Sequence, residues 1–161
     1  MADGPEFILG EFRRRLDDRY RLSIPMELLD PLLGGTTECI LSKERPGCLS
    51  LWPTASYQAK HEQGLALVSG KMRAGKLEGR LAEVQLLGRL LSTRDFPVTL
   101  AGRGRLVIPE GFREFLRVEP GGDVTIIGAA VCVEIWNPAN WLQYLDRRMP
   151  SFRRLFDRLS G

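Results

Sequence analysis

Apolar and polar residues alternate along residues 7–24. Successive side chains of a strand point to opposite faces, so this alternation predicts one face toward a core and one toward solvent. The apolar face carries Phe12, Leu16, Leu22 and Ile24. The opposite face is mainly charged and carries Arg13, Arg15, Asp17, Arg19 and Arg21. Hydrophobic density falls around Asp17 to Tyr20, where we expect the strand to fold back as a hairpin.

The pattern that follows predicts a short helix, two strands and two longer helices. Pro25 suits the first helical position because its missing N–H is unbonded there, and Ser23 or Ile24 would be the cap. This helix should run from Met26 to about Leu33 and end at the two glycines after it. The later predicted elements are strands at 38–42 and 48–52 and helices at roughly 54–70 and 78–92.

Helical spacing also predicts which faces are buried or charged further along the chain. A buried stripe is expected on the helix at 78–92, formed by Leu81, Val84, Leu87 and Leu91. The stretch 139–159 is predicted to be helical with a break at Pro150. Its basic residues are Arg147, Arg148, Arg153, Arg154 and Arg158. This basic end is either a solvated face or a phosphate-contacting surface.

The pattern occurs twice, at an offset of 84 residues. Residues 15–25 align without a gap with residues 99–109, and the register continues over about 40 residues, which indicates a duplicated unit. Identical pairs include Leu16 with Leu100, Arg19 with Arg103, Arg21 with Arg105, Leu22 with Leu106, Pro25 with Pro109 and Trp52 with Trp136. The second copy should have a short helix at 110–116 and strands at 124–127 and 131–136. Each half is small, so we expect the two to share a core.

Composition narrows the functional classes. The chain has 161 residues, 43% of them hydrophobic, and a net charge of +3, which fits a polyanionic partner without requiring one. Three cysteines without a C-x-x-C pair argue against a disulfide framework or zinc site, so buried, reduced thiols in the cytoplasm are expected. No apolar run is long enough to cross a membrane. The polar, acidic residues 1–6 are unlike a secretory signal.

The sequence contains no evident catalytic residues. The single histidine, His61, lies among polar residues of a predicted helix and reads as a surface residue. No serine or cysteine has a base at motif spacing, and no glycine-rich phosphate loop or metal-ligand cluster occurs. We therefore expect no enzyme activity, no cofactor, no metal and no small-molecule substrate.

The repeated arginines are the strongest candidates for function. Arg13, Arg15, Arg19 and Arg21 lie within nine residues, and Arg103 and Arg105 repeat the last two. A two-stranded ribbon fits the DNA major groove, and guanidinium groups pair in two-pronged fashion with phosphates or guanine edges. A basic, solvated strand is the alternative. Asp17 and Arg21 flank the turn and are expected to form an ion pair that fixes its shape, for a structural purpose or for DNA recognition.

These residues resemble the MraZ family, duplicated members of the AbrB-type swapped-hairpin DNA-binding proteins. The match rests on Asp17-Asp18-Arg19-Tyr20-Arg21-Leu22-Ser23-Ile24-Pro25, which fits the family's Asp-x-x-x-Arg signature, and on Cys48-Leu49-Ser50-Leu51-Trp52-Pro53. It covers about residues 7–150. The resemblance implies an α+β chain of two tandem swapped-hairpin β-barrel repeats with packed helices and a pseudo-two-fold axis. The expected divisions are a repeat at 7–60, a helical linker at 61–93, a repeat at 94–144 and a helical tail at 145–161.

The resemblance also implies a function. Family members are bacterial transcriptional regulators that bind promoter direct repeats of the division and cell-wall gene cluster, as rings of about eight or more protomers. The expected role is a repressor located in the cytoplasm at the nucleoid. Its DNA-binding residues would be Asp17, Arg19, Arg21, Arg103, Arg105, Arg13 and Arg15.

Two positions depart from the family pattern. Tyr20 replaces a glycine and should resist a left-handed turn, so the hairpin bends differently or the ring itself touches DNA. Ala101 replaces an aspartate, leaving Arg105 without its partner and the second site either freer to meet phosphate or degenerate. A non-DNA oligomeric scaffold and an AbrB-type antitoxin therefore stay open as alternatives.

Overall fold

The computed structural model describes residues 7–161 and has an α+β fold with a mostly antiparallel sheet. Residues 1–6, on which the signal-peptide prediction rested, lie outside the described residues. The elements of the first half are β1 (Ile8–Arg15), β2 (Arg21–Ser23), α1 (Met26–Leu33), β3 (Glu38–Arg45), β4 (Cys48–Pro53), α2 (Thr54–Arg73) and α3 (Leu81–Arg94). Those of the second half are β5 (Asp95–Thr99), β6 (Arg105–Val107), α4 (Arg113–Leu116), β7 (Asp123–Ala130), β8 (Val133–Trp136), α5 (Pro138–Arg148), a 3₁₀ turn (Met149–Ser151) and α6 (Phe152–Ser160).

The strands form two sheets whose pairings cross between the halves. The larger has the order β1-β7-β8-β4-β3-β5, and the smaller is a two-stranded ribbon of β2 and β6. The 84-residue offset superposes β1 on β5 and β3 on β7. The pairs β1–β7 and β5–β3 are therefore equivalent, and in each the first strand of one half lies against the other half.

The ribbon closes over a shared apolar core. Leu22 lies opposite Leu106 in the ribbon, and both side chains are about 1% exposed. Their inner face packs with Leu16, Ile24 and Ile108 in one cluster that also includes residues of the large sheet and of α1. Burial of each such side chain contributes about 1.5–3 kcal/mol. The cluster draws residues from both halves, which therefore share one core, as predicted.

The predicted hairpin of residues 7–24 is wrong in its pairing. The chain does turn after Leu16, with the Tyr20 N–H donating to the Asp17 carbonyl at 3.1 Å and the Asp17 N–H donating to the Arg21 carbonyl at 3.1 Å. Beyond that turn β1 pairs with β7 and β2 pairs with β6. Alternation specifies which face of a strand is buried, but it does not specify the strand's partner.

The first short helix, Met26–Leu33, has the predicted bounds but a different cap, and the second begins later than predicted. Pro25 has extended geometry (φ −57°, ψ 133°) and precedes the first helical residue, so neither Ser23 nor Ile24 is the cap. α1 ends as predicted at Gly34, which is left-handed at φ 60°. In the second half Gly111 takes φ 85°, a conformation that interrupts a helix, and α4 is confined to Arg113–Leu116.

The apolar stripe expected on α3 is not buried. Leu81 is 63% exposed and Leu87 is 36% exposed, and neither α2 nor α3 has a buried residue. The spacing correctly predicted a helix, but both helices lie outside the core described above. None of the helices in the described part of the chain has the length and apolar composition that a bilayer crossing needs.

Replacing Leu106 with alanine should lower the free energy of unfolding by about 2–5 kcal/mol, because it opens a cavity in the shared core. The matched control, Leu81→Ala, removes an exposed leucine and should change stability by about 0.5 kcal/mol or less. Urea unfolding followed by circular dichroism measures both. Equal losses for the two variants would contradict a core centred on the ribbon.

Candidate nucleic-acid interface

The β2–β6 ribbon brings arginines from the two halves onto one exposed face. Its register places Arg21 opposite Val107 and Ser23 opposite Arg105. Leu22 and Leu106 point into the core, so by alternation these four neighbours point outward. The ribbon expected from one half's hairpin is thus built instead from one strand of each half. This pairing is what places Arg21 and Arg105 on the same face.

The first turn holds Arg21 with a carboxylate, as predicted. Arg21 Nε donates to Asp17 Oδ2 at 2.6 Å. Asp17 Oδ1 accepts from the backbone N–H groups of Arg19 and Arg21, each at 2.8 Å. The backbone hydrogen bond from Arg21, followed by that residue's side chain, holds the pKa of Asp17 below its ordinary value. The carboxylate therefore fixes both the turn and the direction of the Arg21 guanidinium.

Tyr20 adopts the left-handed conformation that it was expected to resist. Its φ is 58°, and its carbonyl accepts a hydrogen bond from the Ile108 N–H at 2.9 Å. The Arg113 guanidinium lies 4.1 Å from the centre of the Tyr20 ring, and Arg113 Nε donates to the Ile108 carbonyl at 2.7 Å. The expectation that Tyr20 resists a left-handed conformation is wrong, and its ring contact with Arg113 helps offset the strain of a positive φ.

The second turn is built without a side-chain acceptor. Ala101 and Arg105 exchange backbone hydrogen bonds of 2.9 and 2.8 Å. Gly104 takes φ 77°, and a Cβ there would lie 2.5 Å from Leu29 Cδ1 and 2.7 Å from the Ile24 carbonyl oxygen. The 84-residue offset matches Gly104 with Tyr20 and Leu29 with Arg113. At the two equivalent places the halves contact one another differently: Gly104 leaves room for Leu29, and Tyr20 packs against Arg113.

The other candidate arginines divide into two groups. Arg19 and Arg103 lie exposed in the two turns, which antiparallel pairing places at opposite ends of the ribbon. Arg13 and Arg15 belong to β1 of the large sheet, where Arg13 lies 3.8 Å from Asp123 and Arg15 Nε donates to the Gly121 carbonyl at 3.0 Å. The row predicted as one continuous face is therefore interrupted. Within residues 7–161, Arg19, Arg103 and Arg105 form no side-chain ion pair.

The cysteines are buried and free, as predicted. Burial raises the pKa of Cys39 to about 11 and that of Cys132 to about 12, and it also raises the pKa of Cys48. Thiols held protonated in this way are poor nucleophiles. No group of three or more histidine, cysteine or acidic side chains suited to a metal occurs among the described residues.

Comparison with known proteins assigns the family. A family model described as an antitoxin-like MraZ protein matches residues 94–159. "Transcriptional regulator MraZ" of Kineococcus radiotolerans is 30% identical over 89% of this chain and 90% of its own length. The chain belongs to the MraZ family. Proteins of the same name from Salinispora tropica (30% identical, 89% of this chain, 91% of theirs) and Syntrophomonas wolfei (26%, 94% and 95%) also match.

MraZ relatives are named as transcriptional regulators and not as enzymes. The expected resemblance is thus confirmed at the level of the family. In this MraZ family member, sequence reasoning missed Arg113 and Leu29, which contact the two turns. The only indication of these contacts in the sequence was the 84-residue alignment. It matches Tyr20 with Gly104 and Leu29 with Arg113, so both residues of the contact differ between the halves.

The low pKa of Asp17 predicts how its contribution to stability depends on pH. A pKa lower in the native state than in the unfolded state stabilises above the unfolded value, and the contribution is lost as pH falls through the native value. NMR titration should show Asp17 ionising below the ordinary aspartate range. Arg21→Gln should raise the pKa only partly, because the backbone donors remain. An Asp17 pKa at or above the ordinary value would contradict this geometry.

Gly104→Ala should destabilise the protein by about 1–3 kcal/mol more than Gly102→Ala. Both glycines have positive φ, 77° and 51°, so both substitutions strain the backbone. Only at Gly104 would the new methyl group meet the Ile24 carbonyl, whereas Gly102 has no neighbour within 4 Å. Chemical denaturation of the two variants gives the comparison, and equal effects would show that the second turn does not pack as described.

Proposed function

We propose that this chain is a sequence-specific DNA-binding transcriptional regulator that contacts DNA through the outer face of the β2–β6 ribbon. One observation carries the proposal: strand pairing between the halves places Arg21 and Arg105 on one exposed surface, with Arg19 and Arg103 in the turns at its ends. Together they form a strip of four guanidinium groups on a support that is rigid because its inner face is buried.

The two central arginines of this strip, Arg21 and Arg105, are suited to different contacts. Arg21 is 41% exposed and held by Asp17, so its donors are aimed before DNA arrives. Such a guanidinium suits a guanine edge in the major groove, which a two-stranded ribbon can enter. Arg105 faces Ala101 instead of a carboxylate and suits a phosphate, which positions the protein without reading sequence. Arg13 and Arg15, on β1, would add phosphate contacts beside the ribbon.

The proposed units are two swapped-hairpin repeats at 7–60 and 94–144, with a helical linker at 61–93 and a tail at 145–161. Reciprocal pairing of β1 with β7 and of β5 with β3 supports this description. It gives the chain a pseudo-two-fold relation in which each half donates its first strand to the other.

We further propose assembly into a ring of about eight or more protomers on promoter direct repeats. One ribbon offers few base contacts, and several ribbons on successive repeats would add affinity through effective concentration. Exposed apolar side chains on α2 and α6, such as Leu67 at 69% and Leu159 at 77%, support association between copies. The proposed role is repression of the division and cell-wall gene cluster, in the cytoplasm at the nucleoid.

Two other functions have an observation in their favour. Ala101 removes the acceptor from the second turn, which would suit a scaffold that has lost DNA readout. The matching family model is described as antitoxin-like, but residues 138–160 are helical except for the 3₁₀ turn, unlike a disordered toxin-blocking arm. Recovery of a small toxin bound to the protein, or failure to retard any upstream DNA, would favour these functions.

Arg21→Ala should abolish sequence-specific retardation of the DNA upstream of the protein's own gene while preserving the fold. The parent should lose about 10³-fold or more in affinity between 50 and 200 mM salt, because several phosphates are neutralised. Arg89→Ala, on the exposed face of α3, removes the same charge away from the ribbon and serves as control. Electrophoretic mobility shift across the salt range gives both results. Retardation by Arg21→Ala equal to that of the parent would refute this role for Arg21.

A further inference from the structure

A cavity of about 520 Å³ is lined by β4, α2 and the end of α3, together with Val131 between β7 and β8. Aromatic rings of Trp52 and Tyr57 form part of its wall, with centroids 5.7 Å apart. Lys60, His61 and Arg94 supply the basic groups of the lining. Within residues 7–161, no acidic side chain lines this cavity. Its volume falls in the range of small-molecule sites.

The second half fills the equivalent place with side chains. There the 84-residue offset replaces Lys60 with Tyr144, while Trp52 and Tyr57 correspond to Trp136 and Trp141. The centroid of Trp136 lies 5.2 Å from that of Trp141 and 5.1 Å from that of Tyr144, so the three rings pack together. In the first half a lysine, Lys60, stands where the second half has this third ring.

The walls of the open cavity are held in place by polar contacts behind them. The Tyr57 hydroxyl donates to Asp95 Oδ1 at 2.7 Å and accepts from Arg94 Nη1 at 3.0 Å. Asp95 is also bonded by the buried Ser42 hydroxyl, and Arg94 lies 3.6 Å from Glu44. The His61 ring stacks on Tyr57 at 6.0 Å and 19°. Tyr57 and Arg94 are therefore ordered without a ligand, which lowers the entropic cost of binding.

We propose that this cavity binds a planar aromatic anion of the nucleoside monophosphate class. The base would stack on the Trp52–Tyr57 wall, where base–aromatic stacking contributes about 1–3 kcal/mol. The phosphate would be met by Lys60, whose ammonium forms no ion pair within the described residues, and by Arg94 at the rim. This site is separate from the arginines of the ribbon, so the inference does not rest on DNA binding.

The imidazole of His61 reports on the site directly, because His61 is the only histidine in the chain. Its NMR signals should shift saturably when AMP or UMP is added to the full-length protein at fixed pH. Adenosine and inorganic phosphate, which each supply one half of the ligand, should bind about tenfold or more weakly. Lys60→Gln should also weaken AMP binding about tenfold, through loss of a charge-assisted contact. Lys71→Gln, on the same helix but away from the cavity, should bind as the parent does.

A second variant copies the filled site of the other half. Lys60→Tyr should retain the fold, since Tyr144 packs at the equivalent position, and it should abolish the ligand-dependent shift. The proposal is overturned if neither nucleotide shifts the His61 signals saturably at about 10 mM ligand. It is also overturned if phosphate alone binds as tightly as AMP, if Lys71→Gln loses as much affinity as Lys60→Gln, or if Lys60→Tyr still binds.

Discussion

The contact between Leu22 and Leu106 across the β2–β6 ribbon determines much else in this molecule. These leucines lie opposite one another and are almost fully buried, so the two halves must meet for either to leave water. Strand alternation then fixes the outer face: with Leu22 and Leu106 inward, Arg21 and Arg105 must point outward. The apolar contact that joins the halves thus also assembles the basic surface.

Both turns at the ends of the ribbon have a positive φ at the equivalent residue, and different side chains accommodate it. In the first, Tyr20 accepts a positive φ with its ring against Arg113, and the Asp17 carboxylate takes the backbone donors. In the second, Gly104 takes a positive φ without a side chain and leaves its space to Leu29. Repeats that diverge in compensating pairs keep the shape of the ribbon while changing its charge. Arg21 is consequently held by a carboxylate, whereas Arg105 has no side-chain ion pair within residues 7–161.

The sequence allowed much of the local structure to be predicted, and less of the tertiary structure. Proline, glycine and apolar spacing predicted most helices and strands, and the spacing of Asp17 and Arg21 predicted their ion pair. The partner of β1 could not be predicted, since the alternation of Phe12 and Leu16 with arginines specifies only a buried face. The prediction that the stripe from Leu81 to Leu91 is buried was wrong for a related reason. Helical periodicity shows that a face is apolar but not what covers it. The cavity beside Lys60 could not be predicted from the sequence, because it is recognised only when the two halves are compared in the folded structure.

The central claim is that one surface, formed jointly by β2, β6 and their turns, meets DNA. Backbone amide NMR of the isotopically labelled protein, with and without a duplex from the region upstream of its gene, tests this most directly. The largest changes should fall together on residues 17–23 and 101–107, with small changes in α5 and α6. Changes concentrated on the arginines of α5 and α6, with the ribbon unaffected, would contradict it.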